Sequence, residues 1–192
     1  MPKRKKYAII FTFLSIIISE ALLLPTAGRT AENKSSNYLY AIRGGILAHD
    51  INLFAHSEEN GIDLNLELLF TSPDWLEWLC KPHPHLGVAI HDQSDTHQIY
   101  SGLTWEKLFI NNIFINLGLG LSLHSGNLKC SHHNCNEKKM GNSLLFREAL
   151  EVGYQLHRHH SLSLLFFHIS NAGLSSENDG MNHLGIRYGY SF

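Results

Sequence analysis

Two residues on one short run, His168 and Ser170 in Phe167-His-Ile-Ser-Asn-Ala-Gly-Leu174, have the types needed for nucleophilic acyl transfer. An imidazole can take a proton and a hydroxyl can attack a carbonyl. On a strand, positions two apart leave the same face, so the pair can reach one substrate atom. Leu162, Leu164 and Phe166 share that parity, which makes the face apolar and predicts that His168 and Ser170 look outward, toward lipid. The loop that follows offers Asn171 and Gly173 as oxyanion donors, an amide side chain and a backbone N–H. A histidine on an apolar face is either a packed or interfacial residue or a base; Ser170 and Asn171 beside it favour the base.

The element that must hold this pair is a membrane strand. At the end of the chain Leu184, Ile186, Tyr188, Tyr190 and Phe192 alternate with Gly185, Arg187, Gly189 and Ser191, one apolar and one polar face with a strand's period. Terminal strands of outer-membrane barrels have lipid on one side, a polar lumen on the other and aromatic girdles at the interface. Similar segments recur. Tyr38, Tyr40, Ile42 and Ile46 alternate with Ala41, Arg43 and Gly45, and Ile62, Leu64, Leu66, Leu68 and Phe70 with Asp63, Asn65 and Glu67. Residues 86–91, 97–105, 113–124, 144–156 and 161–170 bring the count to about eight. The fold class is therefore all-β, an eight-stranded antiparallel transmembrane barrel of outer-membrane type.

The start of the chain reads as a signal peptide over residues 1–28: Lys3, Arg4, Lys5 and Lys6, an apolar run from Tyr7 to Ile18, then Thr26-Ala27-Gly28. The run is short for a spanning helix, which needs about 20 residues. Residues 29–37 form a polar tether and 38–192 the barrel domain. Removing the leader takes four basic residues and Glu20, so the formal charge goes from −2 to −5, which gives no support to nucleic-acid binding. A 44% hydrophobic content with a mean hydropathy of only −0.11 fits apolar residues dispersed by alternation.

His-Ile-Ser-Asn-Ala-Gly, then Asn-Asp-Gly, then a terminal strand ending in Phe resembles the lipid A 3-O-deacylases, the PagL-type acyloxyacyl hydrolases of Gram-negative outer membranes. Leu66-Glu-Leu-Leu-Phe-Thr-Ser-Pro73, Pro84-His-Leu-Gly87, Tyr100-Ser-Gly-Leu-Thr-Trp105 and Leu145-Phe-Arg-Glu148 with Gly153-Tyr154 look like the family's segments in order. The resemblance implies hydrolysis of the ester-linked 3-acyl chain of lipid A by a serine, histidine and glutamate. It makes His168 the base, Ser170 the nucleophile, Asn171 and Gly173 the oxyanion hole and Asn178 a loop-ordering residue. No cofactor is implied. The implied partners are lipopolysaccharide as substrate, the outer membrane, and the barrel-assembly machinery during insertion, with homodimerisation left open.

One position departs from the family pattern: where its members carry the acid, this chain has Asn182. An amide oxygen can still accept the imidazole proton, as in Cys-His-Asn hydrolases. A substitute acid is also available. Glu148 interrupts the apolar set Leu144, Phe146, Leu150, Val152 and Tyr154, and a tight turn near His157–His160 would put it across from His168 or Ser170. A carboxylate facing lipid is costly, so Glu148 is expected to orient or charge His168, alone or beside Asn182. Glu177 and Asp179 are nearer in sequence but lie in the loop.

With both termini periplasmic, the loop 171–181 and the segment 125–142 would be extracellular, and the catalytic rim would face the outer leaflet. Cys130 and Cys135 are expected to pair as a local disulfide in the oxidising compartment, leaving Cys80 over. A zinc site from Cys130, His132, His133 and Cys135 has the right ligand types but no standard spacing. The other histidines, at 81–85 and 157–160, read as solvated turn residues. Trp75, Trp78 and Trp105 suit interfacial belts or loop packing. Arg43, Asn65, Glu67, Asn116, Glu151 and Arg187 fall on the inward parity and are expected to fill the lumen as a charge network. Two other classes stay open: a catalytically inactive barrel with a structural or surface-interaction role, and a small pore or metal-binding surface protein.

Overall fold

A computed structural model describes residues 38–51, 60–93, 96–129, 138–177 and 179–192. The expected leader and tether lie outside these residues. Eight strands follow one another: β1 Leu39–Ala48, β2 Ile62–Phe70, β3 His83–His91, β4 Gln98–Leu108, β5 Ile113–His124, β6 Leu144–His157, β7 His160–Ser170 and β8 Met181–Ser191. Each pairs antiparallel with the next, and β8 returns to β1 from Ala41↔Ser191 to Ala48↔Leu184. The sheet is a closed barrel, so no strand edge is left with unpaired backbone groups.

Alternation decides which side chains go where. Leu64, Leu66, Ile90, Ile99, Leu123, Val152, Leu162, Leu164 and Ile186 are exposed on the outside. So continuous an apolar surface is stable only against lipid. The inward positions carry charge. Arg187 donates to Glu151 from Nε at 2.9 Å and meets Glu67 at 3.0 Å. Arg43 meets Glu151 at 3.0 Å and Glu106 at 2.7 Å. Asn116 and Ser163 donate to Glu151, and Arg187 also reaches Asn65. Arg147 lies over Tyr100 and Phe167, 3.9 and 4.5 Å from the ring centroids. Three guanidinium groups thus face three carboxylates, Glu67, Glu106 and Glu151, so the interior charge balances as a buried ionic network must. A void of about 10 Å³ remains among Glu67, Asn116, Arg147 and Glu151, room for about one water. This is a plugged interior, not a conduit.

The structure departs from the expected pattern in three places. The connection after β2 contains a 3₁₀ helix, Asp74–Leu79, and β3 starts at His83, before the expected Leu86. The indole of Trp105 donates to Leu79 O at 2.8 Å and fastens that helix to the barrel; Trp75 and Trp78 are exposed on it. The third departure is Tyr40, expected in the lipid-facing set. A register shift between Leu39 and Ala41 frees it to stack on His83 and to donate its hydroxyl to Glu106 at 2.7 Å.

Candidate active site

His168 and Ser170 leave β7 on its outward face, continuing the line of Leu162, Leu164 and Phe166, while Ser161, Ser163, Leu165, Phe167 and Ile169 point inward and are buried. The site therefore stands on the lipid side of the wall, at the end of the barrel where β5 and β7 finish and β6 and β8 begin. Ser170 is itself buried, at 7% exposure.

Asn182 pairs with His168 across β7 and β8 and faces the same side. Its Oδ1 lies 2.8 Å from His168 Nδ1, and its Nδ2 donates to Ile51 O at 3.5 Å. The second contact orients the amide so that oxygen, not nitrogen, meets the imidazole. An oxygen there can only accept, so Nδ1 carries the proton and Nε2 keeps its lone pair. That is the tautomer a general base needs.

Asn182 is held in turn by the chain after β1. Its backbone N–H donates to Asp50 Oδ1 at 3.3 Å, and its carbonyl accepts from Ile51 N at 2.7 Å. Asp50 meets Lys138 Nζ at 2.7 Å, both side chains fully buried. The same ammonium donates to Gly180 O at 2.7 Å. Gly180 lies against the imidazole, and a Cβ there would stand 2.8 Å from His168 Cε1 and 3.4 Å from Nε2. Asp50, Lys138 and Gly180 thus frame the pair. None was foreseen as part of the site, because loop closure alone brings them together.

Glu148 lies directly across β6 and β7 from His168, with Phe146 across from Ser170, as the turn at 157–160 predicts. Its side chain is on the outward face and half-buried. No hydrogen bond joins it to the ring; the Nδ1 partner is Asn182.

The two oxyanion candidates are next to Ser170 but have other partners. Asn171 Nδ2 donates to Met140 O at 2.9 Å and to Glu177 O at 2.6 Å, and the Gly173 N–H donates to Asn171 Oδ1 at 2.9 Å. Ala172 and Gly173 adopt left-handed φ of 54° and 80°, closing an Asx-type turn. Asp179 ties this loop to the preceding one by accepting from Lys139 N at 3.0 Å. Cys130, Cys135 and Asn178 lie outside the described residues. Cys80 is a free, exposed thiol.

A family profile for lipid A 3-O-deacylase (PagL) matches residues 60–191, from before β2 to the end of β8. The chain belongs to the lipid A 3-O-deacylase (PagL) family. The crystal structure of the outer membrane enzyme PagL is similar in fold, with a TM-score of 0.61 at 19% identity, covering 79% of this chain and 99% of that one. No curated protein matches the sequence. Within the PagL family this chain is an outer-membrane β-barrel of the hydrolase type, and its outward His168, Ser170 and Asn182 all fall inside the matched span.

Proposed function

We propose that the chain is an outer-membrane esterase that releases the 3-O-linked acyl chain of lipid A by serine-histidine acyl transfer to water. The observation that carries this reading is the His168 Nδ1 to Asn182 Oδ1 hydrogen bond on the lipid-facing side of the wall, because it leaves the opposite nitrogen with its lone pair; no hydrogen bond joins that nitrogen to Ser170 in this structure, and the proposed contact forms with substrate.

In the proposed cycle His168 Nε2 takes the Ser170 proton as Oγ attacks the ester carbonyl. The imidazolium then protonates the departing sugar oxygen. Water, deprotonated by the same nitrogen, attacks the acyl-enzyme; a hydroxy fatty acid leaves and Ser170 regains its proton. Asn182 holds the ring by its neutral amide, and Glu148 supplies negative charge from across the strand to the imidazolium. The Asn171 amide and the Gly173 N–H stabilise the oxyanion; the carbonyls of Met140 and Glu177 and the Asn171 Oδ1 are the partners they exchange for it. The rim faces the outer leaflet, where lipid A resides.

Mass spectrometry of lipid A from cells expressing wild type or Ser170→Ala tests the reading. Loss of one hydroxyacyl mass with wild type alone supports it. Identical lipid A from both favours the inactive barrel.

A further inference from the structure

On the inner side of the wall, behind the site, three histidines close on one carboxylate. His49 follows β1, Asp63 is on β2, His91 ends β3 and His183 is on β8; all four are buried, Asp63 and His183 completely. His49 Nδ1 is 2.7 Å and His91 Nδ1 3.0 Å from Asp63 Oδ1. His183 Nε2 is 3.0 Å from Asp63 Oδ2. His49 stacks on His91 with centroids 3.8 Å apart, and His183 lies flat on Phe167 at 4.2 Å. The donor atoms of His49, Asp63 and His183 are all within 4.8 Å of one another.

Hydrogen bonding alone leaves this cluster incomplete. Ser122 Oγ donates to Gln98 Oε1, which turns the Gln98 amide nitrogen toward His183 Nε2 at 3.1 Å. An imidazole nitrogen has one in-plane position, holding either a proton or a lone pair. Accepting from Gln98 requires the lone pair, and the Asp63 oxygen beside it then faces lone pair to lone pair. Accordingly, Asp63 Oδ2 is buried without a hydrogen-bond partner. An unpaired carboxylate oxygen in such a place is costly, and a cation that takes the His183 Nε2 lone pair in place of the Gln98 amide gives that oxygen a partner.

We propose that His49, Asp63 and His183 form a three-ligand binding site for a divalent transition metal of the zinc class, with water as the fourth ligand. Imidazole and carboxylate donors without thiolate suit zinc. Zinc with ligands at about 2.0–2.1 Å in a tetrahedron needs donor separations of about 3.3 Å, so the observed 2.7 and 3.0 Å contacts open by a few tenths of an ångström. On binding, the protons now facing the carboxylate leave to solvent or move to the far ring nitrogens. The ion would clasp the end of β1 to β2 and β8 at the rim. Phe167 and His183 are cross-strand partners, next in sequence to His168 and Asn182, so the clasp backs the lipid-side pair.

The test uses the full barrel, refolded in detergent after chelation, given zinc chloride and freed of unbound ion. About one zinc per chain is expected for wild type and for Cys130→Ser/Cys135→Ser, which removes the thiolates of the other candidate site. Asp63→Asn and His183→Phe should lose it, with barrel formation verified by heat-modifiable gel mobility. Zinc should raise the wild-type unfolding temperature by roughly 5 °C. Should both variants fail to form barrels, the cobalt-loaded wild type decides, since four-coordinate cobalt absorbs far more strongly than the six-coordinate aqua ion. A wild type that neither retains zinc nor shifts its unfolding temperature overturns the proposal. Equal zinc in wild type and folded His183→Phe, or weak six-coordinate cobalt bands, does the same.

Discussion

The imidazole of His168 and the amide of Asn182 meet at 2.8 Å on the lipid side of adjacent strands, at directly paired positions. An amide at this position fixes the ring tautomer without giving it a countercharge. Two consequences separate orientation from charge. Asn182→Asp, equal in size, is expected to raise the hydrolysis rate, the ceiling being the ~10⁴ that separates acid from amide in a serine triad. Asn182→Ala is expected to lower it at least tenfold, because nothing then holds Nδ1. Initial rates on purified lipid A measure both.

Glu148 is the cross-strand partner of His168 and a candidate source of the missing charge. No hydrogen bond joins it to the ring, so its effect would act through space in a poorly screened setting. Glu148→Gln is expected to slow hydrolysis about tenfold to a hundredfold with little change in barrel stability. A rate equal to wild type would remove Glu148 from the mechanism and leave Asn182 to act alone.

The frame behind the pair can be tested by adding one methyl group. Gly180→Ala brings a Cβ to 2.8 Å from His168 Cε1, and the ring, as the movable partner, must turn. Activity is expected to fall at least tenfold while heat-modifiable mobility stays normal. Lys138→Met takes the ammonium away from the buried Asp50 carboxylate. Besides lost activity, a stability cost of about 3–5 kcal/mol is expected, read from urea unfolding.

The lumen network is structural. Glu151 accepts from Arg43, Arg187, Asn116 and Ser163, so Glu151→Gln removes the carboxylate that two buried guanidinium groups share and leaves three cations facing Glu67 and Glu106 alone. Destabilisation of about 3–5 kcal/mol is expected, again by urea unfolding. Planar bilayers should show no stable conductance for wild type, since the interior is filled.

Much of this was readable in the sequence because a strand displays its two faces in its own residues. The run 62–70 shows both Leu64 and Leu66 outside and Asp63 and Glu67 inside. The pairing of Glu148 with His168 was also readable, since a tight turn at 157–160 fixes the register of everything above it. What escaped depends on loops and on height around the barrel. Asp50, Lys138 and Gly180 meet only because three connections fold over one rim. His49, His91 and His183 look like isolated polar residues until eight registers put them at one level. The bulge that redirects Tyr40 left no mark in the alternation.

The most direct measurement is on purified, refolded protein given lipid A, with the products weighed by mass spectrometry and Ser170 examined for an attached acyl group. The expected result is release of the 3-linked hydroxy fatty acid by wild type, an acyl adduct on the peptide containing Ser170, and neither with Ser170→Ala. Equal release by the folded Ser170→Ala variant would contradict the assignment of Ser170, and so would an adduct on any other residue.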